Sequence, residues 1–443
     1  MFTVVLAENG HAKTTLLQAI ALASAGVIGA NNLAPNAASF FDKRWKPRED
    51  QPPESIVHCL CSANYAFTQD FLKREYPGFT VPPRGTPSLF AGVNASFGWK
   101  NFQGSSTLYT SEDKQFRDRA VHEGPGGLEV LQPLDEARAR DLPGWFVAGY
   151  GTSRALPLPA ATAEPGNRSI DRLHSLFRPT PLIATGFVDV LSRQFGPEIA
   201  AEYARTLRDV LIGSDTLPGI LPKDGPIRVT ELELRGQGGV RGSGDLIEAE
   251  RIVLGFAGAE PIKVPAVWLS AGYQSTIAWV ADLIGQVALD AGRVVSPEQM
   301  EGLVLLDEID QHLHPRWQSA LVPALKKTFP RIQFVATTHS PMILPGLRPG
   351  EVVLLKADDR GSIQATIPEE DPRLLTAAQL YREFFGMPDL FPSKVGERLR
   401  RYGLLAGVAS RSDAEEAEVQ GLYAALRADG VEVWEPEPRA ETA

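Results

Sequence analysis

The sequence predicts an α/β fold built around an open sheet, and three stretches carry that prediction. Leu303-Val304-Leu305-Leu306 is an apolar run suited to a strand buried on both faces, and it ends in Asp307 and Glu308. Ile332-Gln333-Phe334-Val335-Ala336-Thr337 is a second strand, ending in Thr338-His339-Ser340, with an amphipathic helix from about Arg316 to Lys327 between the two. Phe2–Leu6 is a third, followed by a loop and a helical pattern from Thr14 or Thr15 to about Ala25. Strands that deliver carboxylates, an imidazole and a helix-opening loop at matching ends place charge where open α/β sheets bind ligands.

The first loop reads Ala7-Glu8-Asn9-Gly10-His11-Ala12-Lys13-Thr14-Thr15. It follows the phosphate-loop template G-x-x-x-x-G-K-[ST], with Ala7 and Ala12 at the two glycine positions and Lys13 and Thr14 matching. Such a loop works through backbone N–H groups and a helix N-terminus, which need no glycine if φ stays negative. A plain surface loop remains the alternative on spacing alone.

Residues from Gly29 to about Leu142 are poorly periodic, with Pro/Asn loops and strand candidates at Ser55–Ser62 and Ser105–Thr110. Gly144–Gly151 reads as a strand running toward Arg154, and Leu156–Arg168 as an exposed linker. Helices are expected at Gly186–Gln194 and Pro197–Ile212, and strands at Ile227–Leu234 and Asp245–Phe256 around the Gly-rich turn RGQGGVRGSG. That turn lacks a following helix, which favours a hairpin over a phosphate cradle.

Leu269-Ser270-Ala271-Gly272-Tyr273-Gln274 opens a helix running to about Leu289, with Ile277, Val280, Ala281 and Ile284 as its packing face. Ser270 is suited to capping it, and the same hydroxyl and free N–H groups suit an anion. A strand is expected at Glu351–Lys356, amphipathic helices over Pro372–Asp429, and a frayed tail over Pro436–Ala443. No internal repeat is evident.

Taken in order, AENGHAKTT, LSAGYQS, LVLLDEIDQHLHP and VATTHSP resemble the motifs of ABC-type ATPases. The resemblance is to the soluble SMC-like and RecF-like branch, and in EIDQHLHP…TTHSP to its bacterial "AAA family" ATP-binding proteins of DNA repair and phage defence. It covers residues 1–35 and 260–356 well and the remainder loosely. It implies a P-loop NTPase of ABC type, with a mostly parallel core sheet, a large mixed α+β insertion and a helical C-terminal region. The expected domains are a nucleotide-binding core at 1–35 and 260–360, an insertion at 36–259, and the C-terminal region at 361–443.

The resemblance also implies roles. Glu8 to Thr15 would bind nucleotide, with Lys13 on the β- and γ-phosphates and Thr14 on Mg²⁺. Asp307 would hold Mg²⁺ through water, Glu308 would polarise the attacking water, and His339 would contact the γ-phosphate. Ser270, Gly272 and Gln274 would form the signature, acting on nucleotide in a second protomer, and Asp310 would lie at that dimer seam. His312 and His314 would be structural parts of the loop. ATP and Mg²⁺ are the implied cofactors; a homodimer on ATP binding, a separate effector such as a nuclease, and DNA are the implied partners. A degenerate, nucleotide-dependent binding module is the alternative. No Q-loop glutamine is placed, with Gln69 and the Tyr150–Arg154 region as weak candidates. Members of this branch also begin with two or three strands before the P-loop strand, so the edge of Phe2–Leu6 is expected to be open or covered by a partner.

Composition narrows the remainder. Apolar residues make up 43% and charged residues 22%, and no run reaches the ~20 residues of a membrane span. No signal peptide is evident, so the expected location is the cytoplasm, without membrane association. Cys59 and Cys61 are too few for a zinc site or disulfide framework and read as small core residues. A net charge of −10 argues against a chain basic throughout while leaving room for a local basic patch.

Overall fold

The computed structural model describes residues 1–8, 12–34, 58–66, 87–96, 103–110, 120–121, 146–156, 168–223, 227–234, 251–256, 259–358, 363–387, 393–408 and 410–436. Outside them lie Asn9, Gly10, His11, Gln69, nearly all of the Leu156–Arg168 linker, the Gly-rich turn and residues 437–443. The side chains of Cys59 and Cys61 are also outside the description. The chain divides into two compact units, Met1–Arg373 and Leu374–Ala443.

The first unit is organised by a six-stranded sheet. It contains β1 (Phe2–Ala7), β6 (Val147–Tyr150), β10 (Gly302–Leu306), β11 (Ile332–Thr337), β12 (Val352–Ala357) and β13 (Ile363–Thr366), in the order β13-β12-β1-β11-β10-β6. All pairs are parallel except β12 with β13. The near-continuous apolar composition of β10 and β11 follows from burial on both faces. Phe2 and Phe334 stack on one face, 5.2 Å between ring centroids, while Val5, Leu305 and Val335 join Leu17, Ala21 and Leu22 of α1 (Lys13–Leu33) on the other. α1 is interrupted at Gly26 (φ 68°, ψ −176°), where the helical sequence pattern also stops.

β1 lies inside the sheet, paired with β11 on one side and β12 on the other. The expectation of an open edge beside it is therefore corrected: these late strands fill both ladders, and β13 and β6 are the edges. β6 returns from the middle of the chain to pair with β10, so that Tyr150 lies opposite Leu306. Residues 36–259 thus contribute a strand to the core sheet.

Two further sheets belong to this unit. One is antiparallel and comprises β2 (His58–Ala66), β3 (Pro87–Ser96), β4 (Gln103–Thr110) and β5 (Ala120–Val121); the other comprises β7 (Ile227–Glu233), β8 (Arg251–Phe256) and β9 (Ala259–Pro265). β3, β9 and β13 carry no strong alternation and were not expected. The helices α2 (Phe187–Phe195) and α3 (Pro197–Ile212) pack together, and α3 packs on α4 (Ala271–Ala291). α4 is buried along most of its length, a wider contact than the one apolar face read from sequence. α5 (Pro315–Thr328) joins β10 to β11 and starts with His314 as N-cap, whose Nδ1 accepts from the Arg316 N–H at 3.3 Å.

In the second unit, α6 (Ala377–Phe385) starts with a Thr376/Gln379 capping box. α7 (Ser393–Ala406) and α8 (Asp413–Ala428) pack through Tyr402, Leu405, Val419 and Leu426. Buried Arg411 donates to the carbonyls of Leu405, Ala406 and Val408 and pairs with Glu416, satisfying the end of α7. Among the described residues, no helix is long and apolar enough to cross a membrane.

Candidate nucleotide site

Parallel pairing brings the C-terminal ends of β1, β10, β11 and β6 to one rim, and the candidate residues meet there. Thr14 Oγ1, in the first turn of α1, donates to Asp307 Oδ2 at 2.7 Å. Thr337 Oγ1, at the end of β11, donates to Asp307 Oδ1 at 2.6 Å. Asp307 is thereby fixed and buried, while Glu308 is half-buried and Thr14 exposed. Lys13 Nζ donates to the carbonyls of Ala7 (2.9 Å) and Glu8 (3.3 Å) at the end of β1. Burial lowers the Lys13 pKa, and Asp307, Glu308 and Asp310 oppose that shift.

Ala12 adopts φ 60° and ψ 22°, in the left-handed region. The condition under which alanine replaces glycine there without strain is not met, because the helix entry demands a positive φ. For an L-residue this costs about 1–2 kcal/mol. Glu308 (φ 46°) and His312 (φ 62°) share this region, so the chain bends sharply on leaving β10.

That bend is held mainly by Arg154, four residues beyond the end of β6. Its guanidinium donates to the carbonyls of Asp307 (2.7 Å) and Glu308 (2.8 Å), to Gln311 Oε1 (3.4 Å), and to Ser275 Oγ on α4 (3.1 Å). Burial lowers its pKa to about 10, with Asp307, Glu308 and Asp310 raising it. Sequence reasoning reached this segment only as a weak Q-loop candidate and missed the role of Arg154. The available signal was an arginine shortly after a short apolar strand, Val147–Tyr150, that ends beside glycine. Thr337 was likewise quoted in a motif without a role; its hydroxyl also accepts from the Glu308 N–H at 2.8 Å.

Asp310 turns back onto the loop after β11, where its Oδ1 accepts from the Thr338 hydroxyl and from the His339 N–H at 3.3 Å. The His339 side chain is exposed at the same rim. Gln318 of α5 ties these loops together: Nε2 donates to the carbonyls of Asp310 (3.2 Å) and Leu313 (2.9 Å), and Oε1 accepts from Ser340 Oγ (2.7 Å).

Ser270 occupies the N-cap position of α4, but its side chain makes no capping bond, contrary to the simple cap reading. Ser270 is exposed and Gly272 buried. A Cβ on Gly272 would fall 2.4 Å from the His312 carbonyl oxygen, so the signature stretch packs tightly on the turn after Asp310. Gln274 folds back, donating to the Leu269 carbonyl at 2.7 Å. Deeper in α4, Asp282 accepts from the Tyr150 hydroxyl (3.2 Å) and from the N–H groups of Ile183 and Ala184 (3.1 and 3.2 Å). Burial raises its pKa to about 6 against these hydrogen bonds.

The Thr14 hydroxyl and the Asp307 carboxylate are a hard oxygen donor set, suited to Mg²⁺. Among the described residues, no three His, Cys, Asp or Glu side chains gather as a metal cluster.

Fold and site together define a mostly parallel α/β domain whose strand ends gather a lysine, a threonine and paired acids. Residues 258–344 match the family model described as "AAA domain, putative AbiEii toxin, Type IV TA system". Among relatives, the chain is 40% identical over 156 residues to the Septu protein PtuA of Bacillus mycoides, covering 35% of this chain and 21% of that protein. It is 40% identical over 95 residues to the Retron Ec83 probable ATPase of Escherichia coli, covering 21% and 18%. The chain thus spans about a fifth of the length of these relatives. Among solved structures, an Smc head bound to the C-winged helix domain of ScpA aligns with 83% of this chain and 90% of its own at 13% identity and a TM-score of 0.43.

Proposed function

We propose that this chain binds and hydrolyses ATP, dimerising around two nucleotides, in DNA repair or phage defence. The observation that carries the reading is the 2.7 Å contact of Thr14 with Asp307, which brings the P-loop helix and the carboxylate strand to one point. The relatives named as a Septu protein and a probable ATPase support it.

In this reading Lys13 carries positive charge to the β- and γ-phosphates, and residues 8–15 wrap them. Thr14 and, through water, Asp307 would hold Mg²⁺, which would supply charge neutralisation on the phosphate oxygens. Glu308 accepts a proton from the attacking water, with its main chain clamped by Arg154 and Thr337. His339 contacts the γ-phosphate. Ser270, Gly272 and Gln274 act on nucleotide held by a second protomer, and Asp310 lies near that seam. The uncapped, exposed Ser270 supports this assignment, because α4 retains a hydroxyl and orphan N–H groups for an anion. Hydrolysis then separates the protomers and resets a separate effector, such as a nuclease, or a bound DNA.

Glu308→Gln tests the reading: ATP binding is retained while turnover falls by ~10²–10⁴. Undiminished turnover in that variant, beside an active wild type, overturns the assignment of the base. Light scattering of the same variant should show mass rising with Mg-ATP, and no rise when Ser270→Arg is added. Strain at Ala12 favours a second reading, a nucleotide-dependent binding module without turnover. Calorimetric ATP binding by a wild type that shows no phosphate release would select it.

A further inference from the structure

A groove of about 680 Å³ runs along the outer face of α5, away from the carboxylate loop. Its floor is Trp317, Ala320 and Ala324, and its opposite wall is the stretch from Pro218 to Lys223. The wall is held to the helix because Trp317 Nε1 donates to the Ile220 carbonyl at 2.8 Å. From Arg316 to Lys327 the helix spans roughly 16 Å, which is three turns of a helix or about five residues of extended chain.

Three cations, Lys223, Arg316 and Lys327, line this groove, and no acidic residue does so among the described residues. All three are exposed, and no ion pair is recorded for any of them among the described residues, whereas neighbouring Lys326 is paired with Glu351. An apolar floor with a rim of one sign selects an apolar anchor flanked by the opposite sign.

We propose that this groove docks an acidic peptide segment of a partner protein, with a large apolar side chain over Ala320 and Ala324 and carboxylates against Arg316, Lys327 and Lys223. A nucleic acid fits less well. The proline, isoleucine, leucine, tryptophan and alanine lining offers phosphates few donors, and the chain's net charge of −10 opposes a long polyanion.

The groove shares its helix with the nucleotide site. Trp317 packs against Tyr273 of the signature stretch, with ring centroids 4.9 Å apart and planes tilted by 48°, and Gln318 on the inner face ties the Asp310 and Ser340 loops. A segment seated in the groove therefore bears on the element those loops depend on. The proposal itself requires no turnover.

The test is to pan a displayed library of random peptides on the full chain, then measure fluorescein-labelled copies of the enriched sequences by anisotropy. Labelled duplex and single-stranded DNA run as parallel arms. Enrichment of Asp/Glu-flanked Leu, Ile, Phe or Trp is expected, with binding that weakens as salt rises. Arg316→Glu with Lys327→Glu should weaken it about tenfold or more. Ala320→Trp, an exposed position that fills the groove, should abolish it. Thermal melts of both variants establish that they fold. The proposal is overturned by no enrichment, by peptides indifferent to these substitutions, or by DNA that outcompetes the peptides and is lost on the same substitutions.

Discussion

Arg154→Ala is expected to loosen the turn that carries Asp307 and Glu308. The substitution removes donors from two main-chain carbonyls, from Ser275 Oγ and from Gln311 Oε1. Arg154 as a whole residue is only 7% exposed, so the carbonyls it leaves are largely shielded from water. An unpaired buried acceptor costs about 1–3 kcal/mol, and partial entry of water into the vacated space offsets part of the sum. A net loss of about 3–4 kcal/mol follows, read as a shift in the urea midpoint at constant slope. Arg154→Lys keeps the charge but offers one compact donor group where the guanidinium forks across two carbonyls, so it should recover about half of that loss. Turnover should fall further than stability alone explains, because Glu308 loses its main-chain clamp. An alanine variant within 1 kcal/mol of wild type, or a lysine variant equal to it, would refute the reasoning.

Three more perturbations test other parts of the site. Ala12→Gly relieves the left-handed strain at the helix entry and should raise stability by about 0.5–1 kcal/mol after the entropy of glycine is counted, with tighter ATP binding by calorimetry; weaker binding would contradict it. Asp282 has a folded pKa of about 6, above its unfolded value, so its contribution is fully present below about pH 4 and lost as pH rises through 6. Asp282→Asn should therefore gain on wild type by up to about 3 kcal/mol between pH 4 and pH 8 in urea melts, and a pH-independent difference would exclude the effect. Gly272→Ala pushes a methyl against the His312 carbonyl and should cost about 1–3 kcal/mol while abolishing ATP-induced association; a variant that associates normally would show that the two loops move independently.

The core strands and their order of use were legible because burial on both faces leaves a strong local signal. β10 and β11 read as apolar runs with chemistry at their ends, and the structure places them side by side. Thr14 and Asp307 were linked in the sequence only through the resemblance, as residues facing one Mg²⁺; their direct contact at 2.7 Å is seen in the structure. Arg154 was not legible, because its partners are main-chain carbonyls, which leave no complementary side chain in the sequence. β6 was visible as a strand, but its pairing with β10 depends on contacts more than 150 residues apart. The conformation of Ala12 was also hidden: residue type records which φ is cheap, not which φ the surrounding loop imposes.

The position of β1 between β11 and β12 has a consequence for synthesis. Phe2 pairs with Phe334, and Val4 with Val352, so the middle of the sheet consists of segments separated by more than 300 residues of chain. During translation at ~5–20 residues per second, β1 waits roughly 15–70 s before either neighbour exists. Until then Phe2, Val4, Val5 and Leu6 have no sheet to enter, and α1 has no complete surface to lie on. The candidate site that joins Thr14 to Asp307 therefore takes shape late, after the ribosome has passed residue 357.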